Sequence, residues 1–197
     1  IKGDDFILQV YPSNSPLKGN AYTSSLNFTQ CELTLRKLGV ISEDEEIIIV
    51  KFDYIDETAI TNQVEYKVYD SNGNEIDISV CEDVDVYISY PLHNEEQINY
   101  SLGYTMKENN NIDIYDPNSQ LYIDICYPLQ LNQTDVLLSD RRKLYYMNIS
   151  LCPDECNYIS INYTTKVADC ICKTKTLFSP LKDQTVQNIL PINEEFL

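Results

Sequence analysis

Seven cysteines, at positions 31, 81, 126, 152, 156, 170 and 172, constrain this chain more than any other feature. Four of them crowd between Cys152 and Cys172 as a CxxxC followed by a CxC, and neither spacing is the CxxC knuckle that tetrahedral zinc favours. Oxidised pairs are therefore the expected chemistry, without a metal. A bridge from Cys31 to Cys81 would close a loop of about 50 residues and, on the loop-entropy account, contribute roughly 4 kcal/mol by restricting the unfolded chain. Downstream, Cys156 with Cys170 across a hairpin and Cys152 with Cys172 outside it would make a nested pair that leaves Cys126 over. Joining Cys126 to Cys152 would leave Cys172 over instead. An odd thiol implies a bond to a second chain, a partner elsewhere in a longer polypeptide, or a buried thiol.

N-glycosylation sequons indicate the same compartment. They begin at Asn27, Asn99, Asn132, Asn148 and Asn162, each with Ser or Thr two residues on and no proline between. Disulfides and N-linked glycans are both products of the secretory pathway, so an extracellular or cell-surface location is expected. The chain opens on Ile1 without a basic and apolar leader and has no run of 18 apolar residues, which fits a mature secreted chain or a piece of an ectodomain with no membrane span. A formal charge of -17 repels phosphate backbones and removes nucleic acid as an expected partner. Acidic chains of this kind fold only with enough apolar surface; 43% hydrophobic residues, including 16 Tyr and 5 Phe, supply it.

Hydrophobic periodicity places the elements. Phe6 to Tyr11 alternates like a strand and stops at Pro12, forming an N-terminal arm within residues 1–24. Phe28, Cys31, Leu35 and Leu38 recur at helical spacing before Gly39, a natural C-terminal cap. Ile47 to Tyr54 reads as a strand. Val64 to Tyr69 and Ile76 to Val80 flank Asn72-Gly73, the pair that a tight hairpin turn selects. Val84 to Tyr90 and Ile98 to Met106, with a break at Gly103, continue an antiparallel meander, and Leu121 to Tyr127 is a further strand beyond the loop of Asn109 to Asn111 and Asp116-Pro117. Thr134 or Asp135 caps a second helix whose apolar face holds Val136, Leu137, Leu144 and Met147, with Arg141, Arg142 and Lys143 outside it. Tyr158 to Tyr163 and Lys166 to Cys172 form a last hairpin, and the tail from Lys173, through Pro180 and Pro191, is extended. The pattern predicts a mainly β fold of antiparallel sheets, sandwich-like, with two short helices; α+β is the fallback. Residues 25–108 and the cysteine-rich 109–197 stand as two units or as one domain.

Catalytic signatures are sparse. His93 is the single histidine and lies in a polar turn, where it could act only if folding brought a nucleophile or carboxylate to it. No GxSxG elbow, HExxH helix or glycine-rich phosphate loop occurs, and five glycines leave little material for a phosphate cradle. The expectation is a protein that is not an enzyme and carries no cofactor. Asp70-Ser-Asn72-Gly-Asn74 resembles the opening of an EF-hand loop, but its glycine comes too early and Cys81 stands where a bidentate Glu belongs, so a turn is expected instead of calcium. The acidic runs Glu43 to Glu46 and Glu82 to Asp85 read as solvated faces.

Cys31-Glu-Leu-Thr-Leu-Arg, Asp124-Ile-Cys-Tyr-Pro, Leu138-Ser-Asp-Arg-Arg-Lys-Leu-Tyr-Tyr and the CxxxCxY and CxC of Cys152 to Cys172 follow one another in order. Through them residues 31–172 resemble cysteine-rich ectodomain segments of protist, especially ciliate-like, surface or secreted glycoproteins. The resemblance implies location more than activity. The function expected is an N-glycosylated structural protein, a head-to-tail subunit of a surface fibril or coat in which Phe6 to Tyr11 completes a neighbour's sheet by strand addition. A ligand-binding receptor or adhesin ectodomain is the alternative, and a secreted hydrolase with carboxylates converging in a cleft is the third reading.

Overall fold

The structure is a computed structural model and describes residues 1–174 apart from 4, 16, 57, 94–95, 132–133 and 146–148. The expected extended tail from residue 175 on, Met147 and the sequon asparagines Asn132 and Asn148 lie outside the described residues, while Lys173, its expected start, is the last residue of a strand. In chain order the elements are β1 (Phe6–Pro12), β2 (Ser25–Asn27), α1 (Thr29–Lys37), β3 (Ile48–Tyr54), β4 (Gln63–Tyr69), a 3₁₀ turn (Ser79–Cys81), β5 (Asp85–Pro91), α2 (Tyr100–Asn110), α3 (Gln120–Ile123), β6 (Gln130–Leu131), β7 (Thr134–Asp135), α4 (Leu138–Tyr145), β8 (Cys156–Asn162) and β9 (Val167–Lys173). The fold is mainly β, as the pattern predicts: one antiparallel sheet in the order β1-β3-β4 and a second in the order β2-β5-β9-β8.

Strand alternation explains how the sheets meet. On β3, Ile49 joins the main core, while its neighbours Val50 and Phe52 face the other way and pack with Leu8 in a smaller cluster flanked by Phe6, Tyr54 and Tyr69. The main core combines Tyr11, Ile49, Val64, Tyr66 and Val68 of the first sheet with Leu26, Val86, Ile88, Tyr90, Ala168, Cys170 and Cys172 of the second. Buried Leu35 of α1 belongs to the same cluster. The outer face of the second sheet carries a polar cluster: Ser89 Oγ and Ser160 Oγ donate to the two carboxylate oxygens of Asp169 at 2.7 and 3.0 Å.

Several expected strands take other forms. Ile98 to Met106 is not a strand; it enters α2, because Ile98, Leu102 and Met106 are also four residues apart and Asn99 caps the first turn, its Oδ1 accepting from Leu102 N–H at 3.0 Å. Asn111, at φ 54°, ends it in the left-handed region. Gly103 is needed for close approach, since a Cβ there would lie 2.4 Å from the Tyr163 ring. Leu121 to Tyr127 is not a strand either. Adjacent Leu121 and Tyr122 are both buried, which the single helical turn α3 allows and a strand with alternating faces does not. Among the described residues four α-helices therefore stand where two are expected. Ile76 to Val80 pairs only at its start: Ile76 N–H donates to Val68 O at 2.8 Å, and the chain then turns through the 3₁₀ segment that delivers Cys81. β5 also departs from a single meander, pairing with β2 and β9 in the second sheet.

Helix α4 forms within the span of the expected second helix but starts at Leu138, since Thr134 and Asp135 pair as β7 instead of capping it; Leu137 and Leu144 are exposed, and Arg141 is buried and not on its outer side. Its guanidinium donates to Val136 O (2.8 Å), Asp124 O (3.2 Å) and Tyr127 O (2.5 Å), so one side chain ties together backbone carbonyls from three points of the surrounding loops. At the other end of the chain, all seven residues of β1 pair with β3, from Phe6 opposite Tyr54 to Pro12 opposite Ile48. Residues 1–3 fold back over its outer edge, with Leu8 N–H donating to Ile1 O at 2.8 Å. The expected arm is thus an edge strand of its own sheet.

Candidate functional site

Three bridges form. Cys31 on α1 joins Cys81 in the 3₁₀ turn, as expected, with 5.5 Å between their Cα atoms, and both residues are buried in the main core. The downstream connectivity differs from the nested arrangement: Cys152 pairs with Cys170 and Cys156 with Cys172, at Cα separations of 5.9 and 4.3 Å. Two features decide this. The turn leaves Asn162 opposite Val167, and a bulge between Tyr158 and Ser160 shifts the register so that Cys156 faces Cys172. A CxC on a strand then sends both thiols to one face, so Cys170 and Cys172 enter the core together and Cys152 reaches Cys170 from the preceding loop. Cys126 is the remaining thiol and is exposed.

The described sequons share one geometry. Asn27, Asn99 and Asn162 are exposed, and so are the residues Thr29, Ser101 and Thr164 that complete them. In each, the side-chain Oδ1 accepts a backbone N–H: from Thr29 at 3.1 Å, from Leu102 at 3.0 Å, and from Thr164 and Thr165 at 3.0 Å each. That leaves Nδ2, the atom that bonds sugar, on the free side of the carboxamide. Asn27 sits on β2 and Asn162 on β8, the two outer strands of the second sheet.

Sequence reasoning missed the buried polar groups between the sheets. Lys51 Nζ donates to Asp53 Oδ2 (2.5 Å), Ser24 O (2.8 Å) and Ser24 Oγ (2.9 Å), while Asp53 Oδ1 accepts from Ser24 N–H at 2.8 Å. Both side chains are almost wholly buried. Burial lowers the Lys51 pKa, and the Asp53 charge opposes that shift. The only sequence signal was a charged pair two residues apart inside an apolar strand, which alternation puts on one face. A second cluster surrounds buried Asp113, whose carboxylate accepts from Tyr158 OH (2.6 Å), Tyr163 OH (3.4 Å) and Tyr115 N–H (3.0 Å); burial pushes both Tyr158 and Tyr163 up.

His93 meets an amide. Its Nε2 lies 2.9 Å from Asn62 Oδ1, Asn62 Nδ2 donates to Tyr22 O at 2.9 Å, and burial lowers the imidazole pKa. Beyond Asn62 opens a cleft of about 400 Å³ that includes Glu65, Tyr90, Asp154 and Glu155. Burial raises the Glu65 pKa, opposed by hydrogen bonds from Tyr54 and Gln63. Asp70 is occupied by its own turn, accepting from Asn72 N–H and Asn74 N–H at 2.8 Å each. Among the described residues no group of three or more His, Cys, Asp or Glu could hold a metal ion, and no helix is long and apolar enough to cross a membrane. No family model, curated protein or solved structure matches this chain, so what it does has to be read from its own cystines, sequons and surfaces.

Proposed function

We propose that this chain is an extracellular, N-glycosylated structural domain, a repeating subunit of a cell-surface fibril or coat, and not an enzyme. The observation that carries the reading is the joint placement of two secretory features: three cystines drawn into or against the core, and exposed sequons at Asn27, Asn99 and Asn162. Cytosolic thiols are kept reduced, and six cysteines within bonding distance in pairs have little use there. Because β1 is held by its own β3, the head-to-tail contact takes the form of strand exchange, with β1 of one chain paired to β3 of the next. Intact-mass and non-reducing peptide mapping of protein from a secretory host, followed by light-scattering size measurement, tests both parts. The expected result is peptides linked 31–81, 152–170 and 156–172, sugars on the asparagines, and assemblies that grow with concentration. Free thiols and bare asparagines would overturn the location, and a monomer at every concentration would overturn the coat.

The adhesin alternative has one observation in its favour, the acid-lined cleft at Glu65, Asp154 and Glu155. A cationic ligand would suit it. Titration with lysine-rich peptides should give salt-sensitive binding that Glu155→Gln weakens; no binding at low salt would remove this reading.

A further inference from the structure

The register of the second sheet puts an exposed aromatic ring beside one of the sequons. Asn27 on β2 stands directly opposite Tyr87 on β5, and the row continues through Ile171 on β9 to Asn157 on β8. Directly opposed residues of an antiparallel pair project from the same face with Cβ atoms roughly 5 Å apart. Here that face is the outer one: Val86, Ile88 and Cys172 are in the core, whereas Tyr87 is 46% exposed and Asn27 is exposed. Tyr87 presents a broad apolar ring with a polar hydroxyl at its tip, a surface that a ligand with one apolar face can cover. The Asn27 carboxamide is already oriented, with Oδ1 held by Thr29 N–H and Nδ2 free.

We propose that Tyr87 is the platform for the first sugar of a glycan on Asn27, its ring stacking against the apolar C–H face of that pyranose. This rests on the glycoprotein reading above. An aromatic face is the surface that a pyranose ring matches, because the axial C–H bonds at C1, C3 and C5 share one side of the ring while its hydroxyls point around the rim toward water. The glycan thereby becomes part of the fold at this position, covering the exposed ring and pinning β2, only three residues long, onto β5. Asn162 supplies an internal control: its partner across the sheet is Val167, which offers no ring.

The test uses the protein secreted from a glycosylating host, with occupancy of Asn27 and Asn162 read by peptide mapping. Thermal unfolding is compared before and after trimming of the glycans, in the wild type, Tyr87→Ser, Tyr87→Phe and Asn162→Gln. We expect the glycan on Asn27 to raise Tm by about 2 to 4 °C, the shift that roughly 1 kcal/mol gives in a chain of this size. Tyr87→Ser should abolish that increment, Tyr87→Phe should keep it, and Asn162→Gln should leave it unchanged. In the wild type the sugar protons of the first residue on Asn27 should show ring-current upfield shifts and cross-relaxation with the Tyr87 ring. A bare Asn27 would overturn the glycan at this site and the platform with it. An occupied Asn27 whose increment survives Tyr87→Ser, or whose sugar shows no contact with the ring, would overturn the platform alone.

Discussion

Lys51 shows how a single residue can hold two sheets in register. Its ammonium fills three donor sites with Asp53 Oδ2, Ser24 O and Ser24 Oγ, so a group that burial penalises is fully partnered, and the loop into β2 is tied to the middle of β3. Lys51→Met should cost about 3 to 5 kcal/mol, because it strands the Asp53 charge in the core. The double change Lys51→Met with Asp53→Leu should cost less than the sum of the two single changes by about 2 kcal/mol or more, measured by denaturant unfolding. His93 makes a pH prediction. Burial holds its folded pKa below the ordinary 6.5, so the unfolded chain takes up the proton first; this contribution to stability is complete above 6.5 and is lost as pH falls from there through the lower folded pKa. His93→Gln, which can still donate to Asn62, should therefore lose less Tm between pH 7 and pH 5 than the wild type does.

Among the elements, the hairpin of β8 and β9 carries the most specific consequence, since its bulge chooses the cystine partners. Replacing Cys152 and Cys170 together by Ser should lower stability by about 3 kcal/mol, the loop-entropy value for a closure of this length, and Tm by about 6 to 12 °C. Differential scanning calorimetry would read both. Much of this level was legible in the sequence: α1, β1, β3, β4, β5, the final hairpin and the Cys31 to Cys81 bridge all follow from periodicity, proline stops and spacing. What failed did so for definable reasons. Ile98, Leu102 and Met106 satisfy a period of two and a period near four at once, so only the capping asparagine distinguishes α2 from a strand. The downstream cystines depend on one extra residue at a bulge, and no composition signal reports that. Arg141 looked like a surface residue because the carbonyls it satisfies are far along the chain, at Asp124 and Tyr127. The candidate site divides the same way: the sequons are explicit in the sequence, whereas the neighbour of Asn27 across the sheet exists only once the strands pair.

For the whole molecule, charge and covalent layout matter most. A formal charge of -17 pushes the folded chain apart from within, and buried Lys51 is one of only 14 basic residues to offset 31 acidic ones. Raising sodium chloride from about 0.01 to 0.15 M shortens the screening length from about 30 to 8 Å, so Tm should climb with salt over this range and then level off. The three cystines also leave a gap. One lies between residues 31 and 81, the other two between 152 and 172, and none spans the long excursion that leaves β5 and returns at β8 with α2, α3 and α4. A single proteolytic nick anywhere from 82 to 151 therefore produces two fragments with no covalent link between them. They would stay together in native buffer through the shared core and, for a cut beyond β5, the β5 to β9 ladder, separate on a denaturing gel run without reductant, and offer a natural split pair for complementation.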